Sequence, residues 1–218
     1  MRETMDRTDR KGLIVFDLDG TLIDTALYIA LNYVHLFEKY SVPCPSLETL
    51  VSFSGPPLTM ILAKYFPNVD MKVLLDDFEA FSLKYSNHYS SLYPGETECL
   101  AALKEEGYTL AILTSKRRVA MDDNLSYFGI DKYFDFTVSL DECRYPKPNP
   151  DSLLFIMEKT GYAKEDTYII GDSYNDCLTG INAGTRSGLV TYGLKKEKTD
   201  GVDDLFPDFA SIKRRFVK

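Results

Sequence analysis

Leu13-Ile14-Val15-Phe16 is a continuous apolar run that stops abruptly at the polar turn Asp17-Leu18-Asp19-Gly20-Thr21. A short run with no alternation describes a strand buried on both faces, and such strands belong to parallel sheets. Similar runs recur at Thr109 to Leu113, Phe136 to Ser139, Thr167 to Ile170 and Leu189 to Tyr192. Helical patterns lie between them, over Glu96 to Glu106, Arg118 to Phe128, Pro150 to Thr160 and Asp176 to Ala183. Strands alternating with helices require crossover connections, so the expected class is α/β with an open parallel sheet.

One stretch breaks the alternation. Between Thr25 and Leu92 no strand pattern is found, and Ala26 to Tyr40 carries a helical stripe of Leu27, Ala30, Leu31, Val34 and Phe37. Leu58 to Phe66 and Val69 to Tyr89 read as further helices, with Gly55-Pro56-Pro57 as a breaker between them. The expected organisation is a core of residues 1–23 and 93–218 and a helical insert of 24–92. The insert is of small-domain size. Its two connections, near Ile23-Asp24 and Leu92-Gly95, are expected to lie close together as a hinge pair.

Bulk properties narrow the function. The 218 residues hold 25 Lys plus Arg against 33 Asp plus Glu, a formal net charge of -8. An acidic chain without a basic run gives no reason to expect nucleic acid or an anionic membrane as partner. Met1 to Lys11 is charged, with neither a signal peptide nor a membrane-spanning run. Cys44, Cys99, Cys143 and Cys177 show no C-x-x-C spacing and read as reduced thiols of a cytoplasmic protein. His35 and His88 are far apart in helical patterns and read as packing or surface residues.

In an open parallel sheet, ligands bind beyond the carboxyl ends of the strands. Those positions hold Asp17 and Asp19; Thr114 and Ser115; Lys147 in a Pro-flanked loop; and Gly171, Asp172, Ser173 and Asp176. Turn formation or helix capping explains any one of these residues, but poorly explains all four segments together. Oxygen ligands without His or Cys favour a hard cation such as Mg²⁺. Asp17 and Asp19, at i and i+2, can face one reacting centre. One can attack phosphorus, and the other can protonate the leaving oxygen and then deprotonate water. Thr114, nearby backbone N–H groups and Lys147 can hold the equatorial phosphoryl oxygens.

These same residues carry a resemblance. Asp17-x-Asp19-Gly20-Thr21, Thr114 after an apolar strand, Lys147, and Gly171-Asp172-Ser173-x-x-Asp176 resemble, in order and spacing, the four motifs of the haloacid dehalogenase superfamily. The resemblance covers nearly the whole chain. It implies a Rossmann-like parallel-sheet core in three α/β/α layers with a small α-helical cap, as in the phosphoglycolate phosphatase branch. It further implies Asp17 as nucleophile and metal ligand, and Asp19 as general acid/base with its backbone carbonyl on the metal. Thr114, Ser115 and Lys147 bind phosphate, Asp172 binds metal, and Asp176 binds metal or orients its water. Gly20 permits a tight turn near the phosphate. With the acid present at Asp19, the implied substrate is a phosphate ester or anhydride.

Substrate choice is expected from Ser54, Gly55 and Pro56 in the insert and from Lys116 beside Thr114-Ser115. Asp24 reads as a helix cap, and Tyr28, Tyr33, Tyr85 and Tyr89 as packing residues. From Ala26 to Leu92, four lysines against six acids lean slightly away from a polyanionic leaving group. The expected activity is Mg²⁺-dependent hydrolysis of a small phosphorylated metabolite, phosphoglycolate-like, by a monomer or weak homodimer. A nucleotidase, an inorganic pyrophosphatase, a β-phosphoglucomutase-like mutase and a non-catalytic binding protein are the competing readings.

Overall fold

The computed structural model describes residues 11–53, 57–193 and 197–218. The first strand, β1 (Gly12–Phe16), is buried at every position. It pairs in parallel with β4 (Tyr108–Leu113) on one side and β6 (Thr167–Gly171) on the other. With β5 (Phe136–Val138), β7 (Arg186–Val190) and β8 (Asp204–Phe206) the sheet runs β5-β4-β1-β6-β7-β8, all pairs parallel. Because β1 is central, its carboxyl end sits at the point where the chain's connections diverge to the two halves of the sheet.

Alternation along each strand supplies the two faces. Ile14 and Phe16 of β1, Leu110 and Ile112 of β4, and Tyr168 and Ile170 of β6 share one core. That core also holds residues of α5 (Glu96–Glu105), α6 (Arg118–Phe128) and α9 (Phe209–Phe216). Leu13 and Val15, Ala111 and Leu113, and Ile169 point the other way, onto Leu153 and Ile156 of α7 (Asp151–Thr160). Helix α8 (Tyr174–Ala183) packs on β6 and β7. The result is the expected three-layer α/β/α arrangement.

The chain divides into two compact units, residues 1–23 with 92–218, and residues 24–91. The second unit holds α1 (Ala26–Lys39), α2 (Leu47–Val51), α3 (Leu58–Tyr65) and α4 (Met71–Tyr85). Its core gathers Tyr33, Leu36, Phe37, Phe53, Leu62, Phe66 and Leu74. The expectation of no strand up to Leu92 needs correction: β2 (Ile23–Asp24) and β3 (Ser91–Leu92) form a two-stranded ribbon. Two-residue strands leave no periodicity to read. The last insert helix begins at Met71 rather than Val69, because the Asp70 side chain accepts from the N–H groups of Lys72 and Val73. Thr25, not Asp24, holds the N-cap position of α1, although Asp24 accepts from Ala26 N–H at 3.2 Å. Tyr28 and Tyr33 are buried packing residues. The four cysteines are free thiols. No described helix is long and apolar enough to cross a membrane.

Candidate active site

Strand register brings the site residues together. Phe16 lies opposite Ile112 of β4 and Ile170 of β6, so Asp17, Thr114 and Asp172 follow neighbouring strand ends. The ladder runs just past the strands, with Asp17 N–H donating to Ile170 O and Thr114 N–H to Val138 O. Beyond Asp17 the chain coils tightly: Leu18 O accepts from the N–H groups of Thr21, Leu22 and Ile23. Gly20 sits in this turn at φ 77°, a left-handed value that favours glycine. A Cβ at Gly20 would lie 2.7 Å from Asp172 Cγ, so only glycine lets that carboxylate approach the turn.

Carboxylate oxygens of Asp17, Asp172 and Asp176 lie within 4.8 Å of one another. Lys147 Nζ stands 3.1 Å from Asp17 Oδ1 and 2.5 Å from Asp176 Oδ1, and donates to Leu113 O at 3.2 Å. Burial pushes the Asp17 carboxyl up to about 6; the neighbouring Lys147 opposes this, and Asp176 adds to it. For Lys147, burial works against the cation, but facing Asp17 and Asp176 outweighs burial and lifts its pKa above the ordinary lysine value. The all-oxygen donor set fits a hard ion such as Mg²⁺.

Asp176 is held from its own helix. Ser173 caps α8, and the Asp176 carboxylate accepts in return from Ser173 N–H at 3.0 Å and Ser173 Oγ at 2.6 Å. This capping box aims Oδ1 at Lys147. Gly171 is required beside it, since a Cβ there would overlap the Asp176 side chain. Thr114 is buried, and its Oγ1 accepts from Lys116 N–H at 3.2 Å, while Ser115 is exposed in the same turn. Lys116 Nζ reaches back to Asp19 Oδ1 at 2.7 Å. Ser54, Gly55 and Pro56 lie outside the described residues.

Two supporting roles go beyond the sequence reading, which named Ser173 only as part of a motif and gave Tyr192 no place in the site. Ser173 has a local signal, the Ser-x-x-Asp spacing of a capping box. Tyr192 has none: its hydroxyl donates to Thr21 O at 2.5 Å, and its ring packs on Tyr93 and Phe209. It thus ties the turn after β1 to the far half of the sheet.

A parallel sheet carrying carboxylates and a buried lysine at its carboxyl edge defines an α/β protein equipped for phosphoryl chemistry. Residues 14–190 match the family model of haloacid dehalogenase-like hydrolases, and the chain belongs to that family. The pyrophosphatase PpaX of Halalkalibacterium halodurans is 35% identical over 200 residues, covering 90% of each chain. Among solved structures, a haloacid dehalogenase-like family hydrolase from Streptococcus pneumoniae superimposes with a TM-score of 0.83 at 25% identity, covering 96% of this chain and 99% of that one. A predicted phosphoglycolate phosphatase from Haemophilus somnus gives a TM-score of 0.82 at 27% identity, with coverage of 96% and 99%.

Proposed function

We propose that this chain is a Mg²⁺-dependent phosphatase of a small phosphorylated metabolite, a phosphoglycolate-like phosphomonoester, working through a phosphoaspartate on Asp17. The observation that carries the reading is the approach of Asp17, Asp172 and Asp176 to within 4.8 Å, with Lys147 beside Asp17 and Asp176. Structural scaffolding alone gives no reason to concentrate this much buried charge, which costs folding stability.

Asp17, Asp172 and Asp176, with the Asp19 carbonyl, would hold the cation. When bound, it offsets the repulsion between an anionic nucleophile and an anionic phosphate. An Asp17 carboxylate oxygen attacks phosphorus and the bond to the leaving oxygen breaks, while Asp19 gives that oxygen a proton. Asp19 then takes a proton from water as the water attacks the phosphoaspartate. The bond to Asp17 breaks, freeing inorganic phosphate. Thr114, Ser115 and Lys147 hold the phosphoryl oxygens through both steps, and Gly20 keeps the turn tight.

Pyrophosphate hydrolysis is the second reading, favoured by the 35% identity to a pyrophosphatase and served by the same attack and proton transfer. The helical unit is taken as the cap, and the protein as a cytoplasmic monomer or weak homodimer. The test is phosphate release from a panel of phosphorylated metabolites and pyrophosphate with Mg²⁺, beside Asp17→Asn. The variant is expected to fold and to lose about 10³-fold or more of turnover. Undiminished activity would remove Asp17 as nucleophile, and rearranged product without free phosphate would point to a mutase.

A further inference from the structure

The two lysines at the carboxyl edge divide their work. Lys147 faces Asp17 and Asp176, the phosphoryl side, whereas Lys116 places Nζ 2.7 Å from Asp19 Oδ1. A group that protonates the leaving oxygen must touch it, so a cation in contact with Asp19 stands beside the leaving group. We infer that Lys116 is a specificity-determining residue that reads a permanent negative charge on the leaving group, either a second phosphate or a carboxylate. The inference rests on the hydrolase reading above and names the substrate class for that site.

The cation is built in. The Lys116 side chain is only 7% exposed. Its backbone is fixed at both ends, since its N–H donates to Thr114 Oγ1 and its carbonyl accepts from Leu140 N–H. A fixed, poorly hydrated ammonium rewards an anionic substituent with a charge-assisted hydrogen bond. An uncharged substituent leaves Lys116 with Asp19 as its counter-charge and adds no charge-assisted hydrogen bond of its own.

Phosphoglycolate and ethyl phosphate are close in size and differ chiefly in a carboxylate, which makes them the probes, with inorganic pyrophosphate as the phosphate arm. With Mg²⁺ present, the wild-type protein is expected to show kcat/KM about tenfold or more higher on phosphoglycolate or pyrophosphate than on ethyl phosphate. The arm that is higher identifies the source of the charge. Lys116→Met should lower the preference about tenfold, and Lys116→Arg should keep most of it. Equal wild-type rates on charged and uncharged partners would overturn the inference even if the variants do not fold. An equal loss on all three substrates in Lys116→Met would also overturn it, leaving Lys116 to act only through Asp19. Phosphate release from none of the three by the wild-type protein would instead reject the hydrolase reading, and this one with it.

Discussion

Lys147 Nζ lies 3.1 Å from Asp17 Oδ1, and the two residues are 130 positions apart in the chain; the same ammonium contacts Asp176 at 2.5 Å. The lysine side chain is 8% exposed, and those of the two aspartates 12% and 0%. One buried cation therefore holds two buried carboxylates that would otherwise repel each other.

Lys147→Met keeps the side chain's length and removes its charge. Breaking a buried pair by deleting one partner costs about 3–5 kcal/mol, since the remaining charges stay buried without compensation. The metal-free variant is expected to lose stability in that range by urea unfolding, and Mg²⁺ should recover part of the loss. Phosphate release should fall about 10²-fold or more, because a donor to the phosphoryl oxygens is gone. Unchanged stability together with unchanged turnover would place Lys147 outside the charge balance of the site.

The divalent cation should matter more at higher pH. Asp17 is raised to about 6 from 3.8, first by burial. The sign follows: without a cation, the stability linked to Asp17 is full below about pH 4 and is lost as pH rises through about 6. A cation needs the ionised form, so Mg²⁺ binding competes with that proton and strengthens above pH 6. Thermal unfolding at about pH 5 and pH 8, with and without Mg²⁺, checks this. At 100 times Kd the gain is about 2.7 kcal/mol, or roughly 5–10 °C for a chain of this size. Excess chelator should stop turnover at either pH, and renewed Mg²⁺ should restore it. A larger Mg²⁺ shift at pH 5 than at pH 8 would contradict the assignment of Asp17 as a ligand.

Much of this arrangement was legible because burial on both faces writes apolar runs, and catalysis places polar residues where those runs stop. β1, β4 and β6 were read within a residue or two for that reason. β7 was read three residues late, at Leu189 instead of Arg186, because Ser187 and Gly188 lack apolar side chains. Ser187 is nonetheless fully buried, its N–H donating to the Asp203 carboxylate. The edge strand Asp204–Phe206 went unread, being too short for its periodicity to register. The helix Phe209–Phe216 also went unread, although Phe209, Ile212 and Phe216 lie on one buried face at helical spacing. In the site, the acids follow two strand ends, Asp17 and Asp19 after β1 and Asp172 and Asp176 after β6. The Lys116–Asp19 contact spans 97 positions and depends on how far one flexible side chain reaches, which no local pattern encodes.

Glu96 offers a test away from the proposed chemistry. It is the first residue of α5, where the helix dipole favours an anion, yet its side chain is 1% exposed. Oε2 accepts from Thr97 Oγ1 at 2.8 Å, and Oε1 has no hydrogen-bond partner among the described residues. Burial dominates, only partly opposed by the Thr97 hydrogen bond, and pushes the carboxyl up to about 7 from 4.5. Since the folded value is the higher one, the linked stability is complete below about pH 4.5 and disappears as pH rises through about 7, a span worth on the order of 3 kcal/mol. Glu96→Gln stays neutral throughout. It should therefore match the wild-type protein to within about 1 kcal/mol near pH 5 and exceed it by about 2–3 kcal/mol near pH 8. Asp17 titrates in both proteins, so its contribution cancels in the difference. Urea unfolding of the pair across this range measures it, and a difference that stayed constant with pH would show that Glu96 is already ionised in the folded chain at pH 5.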